Sequence, residues 1–228
     1  MEPKPVATGF FEVLDQKGWH FLTSLLGGWP ETVGVAVCSL LFALVVGLVI
    51  ALMRLSRWRL LRFPAVAYVE FFRGTPALVQ LFVIYFGFPD IGYQPSPFQV
   101  AIVGLGLNAA AYLSEIYRAG IEAIHRGQME AALSLGMTPM RAMRYIILPQ
   151  AIRIMLPPIT NISIVLLKDT ALIFTVGVVE IMAIARQQVT DSLQSHVIYL
   201  MAGAIYLCMT IPMARVAARL ERAKRAWQ

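Results

Sequence analysis

Glu130-Ala131-Ala132-Leu133-Ser134-Leu135-Gly136-Met137-Thr138-Pro139-Met140, running on to Ile146-Ile147-Leu148-Pro149, is the stretch on which the reading of this chain turns. It is a mixed polar and apolar insert between strongly hydrophobic segments of membrane-crossing character. Gly136 predicts the left-handed stop of a first helix, Gly127 to Leu135, and Thr138 with Pro139 suit the N-cap and first position of a second, Pro139 to Leu148. The pattern predicts a helix-turn-helix elbow within residues 125–152. Such an elbow offers Leu133, Leu135, Met137 and Met140 to a groove on a partner. A loop folded back on its own membrane domain is the other reading of the same composition.

Working outward, the 228 residues are 58% hydrophobic and only 14% charged. A soluble domain carries about a quarter charged residues, so the composition predicts an all-α integral membrane protein. The formal charge of +6 raises nucleic acid as a partner. Most of the cations, however, gather in three clusters beside hydrophobic segments, as topology signals do, which argues against it. Cys38 and Cys208 sit in apolar stretches without metal-ligand spacing and read as small buried hydrophobes, not a disulfide. The first residues carry Glu2, Glu12 and Asp15 and lack the pattern of a cleaved leader, so residues 1–30 are expected to stay as an interfacial or periplasmic segment. Phe10, Phe11, Leu14, Trp19, Phe21 and Leu22 suit either an amphipathic surface helix or an irregular apolar leader.

Glu31 to Met53 holds no internal charge and, at about 1.5 Å per residue, is long enough for a hydrocarbon core of roughly 30 Å. Phe63–Phe88, Phe98–Ile124, Pro157–Ala185 and His196–Arg215 are the further spans, making five in one domain over 31–228. Cations follow span one (Arg54, Arg57, Arg59, Arg62), lie between spans three and four (Arg126, Arg141, Arg144, Arg153) and close the chain (Arg215, Arg219, Arg222, Lys224, Arg225). These regions are expected in the cytoplasm, with the N-terminus outside and the C-terminus inside.

The pattern Glu-Ala-Ala, three residues, Gly, nine residues, Ile, one residue, Leu-Pro resembles that of the permease subunits of bacterial type I ATP-binding-cassette importers. Glu130 to Pro149 fits it at every motif position. Phe71-Phe72-Arg73-Gly74-Thr75-Pro76, Glu115-Ile116-Tyr117-Arg118 with Gly127-Gln128, and Leu167-Lys168-Asp169-Thr170 look like the polar amino-acid uptake subfamily. The likeness runs from about Thr32 to the C-terminus. It implies the type I importer fold, and that the elbow is a coupling helix seated on a cytoplasmic ATPase through Glu130, Ala131, Ala132, Leu135, Gly136, Met137, Thr138, Pro139 and Met140. It further implies two ATPase subunits, a second permease chain (a copy or a relative) forming one pathway, and an external solute-binding protein that feeds it. The location implied is the bacterial inner membrane.

Charges inside a bilayer are costly unless they face protein or water. Eleven residues into span four, Lys168 and Asp169 fall near mid-depth, and Thr75-Pro76 on span two and Asn108 and Tyr112 on span three reach a similar level. Pro76 and Gly74 predict irregular backbone there, tolerable only where it lines protein or a cavity. Thr75, Asn108, Tyr112, Lys168, Asp169 and Thr170 therefore make a candidate midplane pocket. Lys168 and Asp169 can meet the two poles of an amino-acid zwitterion, or else pair with other helices to hold the bundle. The resemblance favours the pocket, since residues around the matching segment contact substrate in relatives; Ala171 stands where many of them have Ser. Glu70 with Arg73, and Glu115 with Arg118, are i,i+3 pairs that read as structural ion pairs or as a gate. Pro157-Pro158 would break the helix leaving the insert, or make a corner.

No G-x-x-x-x-G-K-[ST] loop is present, so the chain is expected to be non-catalytic, with no cofactor of its own and with ATP and Mg on partner subunits. His20, His125 and His196 are scattered and suggest neither a metal site nor a catalytic cluster. The expectation is a permease moving a polar amino acid inward. A self-sufficient ion-coupled transporter and a structural membrane anchor are the rival readings.

Overall fold

The computed structural model describes residues 10–225, and side chains over 13–222. Expectations resting on Glu2, on residues 226–228, or on the side chains of Phe10, Phe11, Glu12, Lys224 and Arg225 lie outside the described residues. Among the described residues there are helices and no strand. Helix α1 (Phe10–Leu26) turns at Gly27-Gly28 into α2 (Trp29–Leu55). It is helical, not irregular, and buries Val13, Phe21 and Leu25 while Trp19 stays exposed.

The frame is the seam between α2 and α5 (Pro97–Glu122). The buried face of α2 repeats a small residue every fourth position, Ser39, Ala43, Gly47 and Ala51. Small faces let two backbones approach where hydrophobicity alone offers no drive. A Cβ at Gly47 would meet the Ala110 carbonyl oxygen and Leu113 Cβ at 3.0 Å, and one at Gly106 would meet Phe42 Cδ1 at 2.6 Å. Residue numbers rise together along both helices, so α2 and α5 run parallel, and the chain must recross between them.

That return path is the span expected at Phe63–Phe88, but broken where one continuous helix was expected. It is two helices, α3 (Arg59–Gly74) and α4 (Ala77–Asp90), bent by 107° at Thr75-Pro76. Pro76 donates no backbone N–H, and both Thr75 and Pro76 are extended, so the helix cannot continue through them. Helix α3 runs across the bundle, whereas α4 follows the first half of α5.

Beyond α5, the insert forms α6 (Arg126–Ser134), closed by Gly136 at φ +79°, and α7 (Pro139–Ala142), capped by the Thr138 hydroxyl, which accepts from Arg141 N at 3.4 Å. The second arm does not end at Leu148. A π-helical turn, Met143–Ile147, carries it directly into α8 (Leu148–Asp169) and a 3-10 turn, Thr170–Val176. From Pro139 to Val176 the chain is one 38-residue helical rod. Pro157-Pro158 neither breaks it nor makes a corner. Proline's fixed φ is itself helical, so what is lost is hydrogen bonds and not the path, and Met155 packs against Gly120 of α5 alongside.

Span four also ends earlier than the expected Ala185. Gly177, at φ +92°, turns the chain, and Glu180 caps a separate helix, α9 (Ile181–Ser192), through both carboxylate oxygens, which accept from Met182 N at 2.8 Å and Ala183 N at 2.9 Å. Gly28 permits this: a Cβ there would lie 2.5 Å from Ile181 N. Helix α10 (Ser195–Arg225) completes the bundle, and its start packs with α1 and α9 around Ile181, Ile198 and Ala202. Cys38 and Cys208 are unpaired, but both are exposed rather than buried. The outside of a spanning helix is apolar too, so an apolar neighbourhood in sequence says nothing about burial.

Candidate functional site

The break between α3 and α4 leaves backbone carbonyls without helical partners inside an apolar bundle, where each would cost several kcal/mol of order if unsatisfied. Side chains supply what is missing. The Gln80 amide donates to Phe72 O at 2.9 Å, Thr75 O at 3.0 Å and Thr75 Oγ1 at 2.8 Å. Asn108 Nδ2 donates to Phe72 O and to Gln80 Oε1, both at 3.1 Å, and Thr75 Oγ1 donates to Phe71 O at 2.8 Å. Tyr68 adds a 2.7 Å bond to Leu107 O. Gln80 is a member of this network that sequence reasoning missed, although it is the one strongly polar side chain in the interior of the apolar run Ala77–Phe88.

Held open this way, the break faces α5 and α8 across a cavity of about 370 Å³. Thr75, Asn108, Tyr112 and Asp169 line it together with Pro76, Ala109 and Leu166. Four of the six expected pocket residues are thus brought together. Asn108 lies eleven residues from the start of α5 and fourteen from its end, so the cavity sits near mid-bundle. The other two residues point elsewhere. Lys168 is exposed and does not line the cavity, while Thr170 is fully buried and donates to Leu167 O at 2.7 Å. Helical spacing explains this, since neighbours on a helix lie about 100° apart and cannot all face one cavity.

One level below, Glu115 gathers arginines from three helices. Its Oε1 meets Arg54 Nη1 at 2.5 Å and Arg73 Nη1 at 3.4 Å, and its Oε2 meets Arg118 Nη2 at 2.8 Å. Arg118 also reaches Glu122 at 2.5 Å. The expected Glu115–Arg118 pair is present, but the Glu70–Arg73 pair is not: Glu70 is exposed and Arg73 turns to Glu115. A carboxylate on a neighbouring helix wins because it already anchors two other guanidinium groups and lies at the more protected level. Arg73, the longest of these contacts, also stands 5.4 Å over the ring of Tyr112, which lines the cavity. Three arginines against two carboxylates leave a net positive charge beneath the pocket. Arg54, placed in sequence only among topology signals, is thereby a member of the site.

At the other end of the Pro139–Val176 rod, the elbow exposes Leu133, Leu135 and Met140, with Leu135 and Met140 at 83% and 77%, while Met137 is half-buried. Ala132 is buried and Glu130 and Ala131 are exposed. Large apolar side chains clustered at a helical tip mark a contact surface. Among the described residues no group of three or more His, Cys, Asp or Glu could hold a metal ion.

Comparison with known proteins matches residues 43–226 to the family described as binding-protein-dependent transport system inner membrane component. The probable amino-acid permease protein YxeN of Bacillus subtilis (strain 168) is 40% identical over 212 residues, 90% of this chain and 95% of that protein. The octopine transport system permease protein OccM of Rhizobium radiobacter is 39% identical over 212 residues, 89% of this chain and 86% of that protein. A crystal structure of an amino acid ABC transporter with histidines superposes with a TM-score of 0.86 at 34% identity, covering 96% of this chain and all of that one.

Proposed function

This chain belongs to the family of binding-protein-dependent transport system inner membrane components, a multi-pass membrane permease, and from that premise we propose that it carries a polar amino acid inward under the drive of a separate ATPase. Domain 31–228 is the permease, with the elbow of residues 125–152 as its coupling insert. The cation clusters orient it with the N-terminus outside and the elbow and C-terminus in the cytoplasm. Two ATPase subunits holding ATP and Mg, a second permease chain and an external solute-binding protein complete the assembly.

The observation that carries this reading is the continuity of the Pro139–Val176 rod, which joins the exposed elbow to Asp169 in the cavity wall. Coupling is mechanical. ATP binding draws the elbows together, and the rod delivers that displacement to the pocket, biasing it between two access states. At the pocket, Asp169 takes the ammonium pole of the substrate. The carboxylate pole is met by the net positive charge below, chiefly Arg73, while Thr75, Asn108 and Tyr112 offer polar contacts. Lys168 and Thr170 support the segment from outside the cavity. Glu115 with Arg54, Arg73 and Arg118 forms the inner gate, whose weakest contact, Arg73, opens as substrate passes; Glu70 stands beside it at the exposed edge.

Gly136→Pro tests the coupling. Proline cannot adopt φ +79°, so the elbow loses its turn, and ATP hydrolysis by the assembled transporter is expected to persist without substrate uptake. Normal uptake by a correctly inserted variant overturns the elbow mechanism. Co-purification of an ATPase with the tagged chain, lost when residues 130–136 are scrambled, identifies the partner that the elbow engages.

A further inference from the structure

We propose that the start of α3 is a binding surface for anionic phospholipid headgroups, and that lipid bound there steadies the wall of the transport pocket. Arg57, Arg59 and Arg62 are all exposed, and none has an ion-pair partner among the described residues, where the pairs of this end of the bundle engage Arg54, Arg73 and Arg118 instead. Between them stand Trp58, Leu60 and Phe63, exposed at 72%, 84% and 77%. A cluster of guanidinium groups interleaved with an indole and apolar side chains suits the boundary of a bilayer, with rings among the acyl carbonyls and cations among phosphates.

Depth supports the assignment. Helix α2 has 27 residues, about 40 Å at about 1.5 Å per residue, which matches a bilayer counted with its headgroup regions. Trp29 opens that helix and Trp58 follows its end, so the two indoles bracket the span, and Arg57 to Phe63 fall at headgroup level. The 107° bend then sets α3 across the bundle, with Ala65 and Val69 fully buried beneath it and Leu60, Phe63 and Phe71 exposed. The same helix ends at Gly74, next to Thr75 of the pocket wall, and carries Arg73. A headgroup that fixes the first turn of α3 therefore fixes the geometry of the cavity sixteen residues later.

The test uses the whole transporter, permease with its ATPase, reconstituted in nanodiscs and liposomes of phosphatidylcholine with increasing phosphatidylglycerol. The wild type is expected to retain phosphatidylglycerol through delipidation, read by native mass spectrometry, and to transport several-fold faster as its fraction rises. The triple variant R57Q/R59Q/R62Q loses that retention, by about fivefold for each arginine removed, and with it the lipid dependence of transport. The triple lysine variant keeps most of both, which separates charge from fold. Retention does not depend on the permease reading, whereas the transport readout rests on it, so the two can fail separately. Unchanged retention in the glutamine variant overturns the proposal, as does a lipid dependence abolished only by R215Q/R219Q/R222Q. Loss of the ATPase from the purified glutamine variant also overturns it, by showing that the arginines face a protein partner.

Discussion

The seam between α2 and α5 and the break between α3 and α4 lie on different faces of α5, and they solve opposite problems. The seam is close, built from residues too small to hold the backbones apart. The break is polar and open, with carbonyls of α3 handed to the side chains of Gln80 and Asn108. The first arrangement has no freedom to move without clashes. The second rests on side-chain hydrogen bonds and borders a cavity. A transporter needs both, a frame that holds its register and a wall that can change, and here they share α5.

The largest effect is expected from filling the seam. Gly106→Leu drives a branched side chain into Phe42 and should cost about 3 kcal/mol, read as a lowered midpoint of thermal unfolding in detergent. A variant as stable as wild type would mean that the seam is looser than its small residues imply. Next in size is Gln80→Ala, which leaves the Thr75 carbonyl without its amide donor and the Phe72 carbonyl with that of Asn108 alone, and should cost about 1–3 kcal/mol. Uptake should fall with it, because the wall of the cavity loses its brace. Stability lost with uptake unchanged would separate the break from the transport path.

The comparison sharpens at the neighbouring pair in α8. Asp169→Asn is expected to raise the KM for uptake about tenfold, as the loss of one charge-assisted hydrogen bond does. Lys168→Ala should change it less than about threefold, since Lys168 stands outside the cavity. Equal effects would return Lys168 to the substrate site.

Much of this was legible in the amino-acid sequence. The left-handed turn at Gly136 and the cap at Thr138 are local, set by φ and by a hydroxyl three residues from its donor, and both stand as read. Span three needed only apolar length. The small-residue repeat Ser39, Ala43, Gly47, Ala51 was equally available as a signal of close packing, and so was the Gly177 to Glu180 stop-and-cap that ends span four. Gln80 was visible as a polar residue in an apolar run, but its role depends on carbonyls that only the break releases. The Arg73–Glu115 contact could not be read at all, because it joins residues 42 positions apart and competes with an i,i+3 pair that looked sufficient.

What the sequence by itself determined was the solvent and the punctuation: a membrane protein, its apolar segments, the elbow, and the irregular backbone at Thr75-Pro76. Hydropathy and backbone stereochemistry act over a few residues, so they can be read locally. Only the tertiary structure decided that the irregularity is a 107° bend, that the elbow and Asp169 share one rod, and which member of Lys168-Asp169-Thr170 enters the cavity. Those outcomes depend on which helices meet and at what rotation. That is settled by packing between segments far apart in sequence, where a turn of 100° per residue decides whether a side chain faces a cavity, a neighbour or the bilayer.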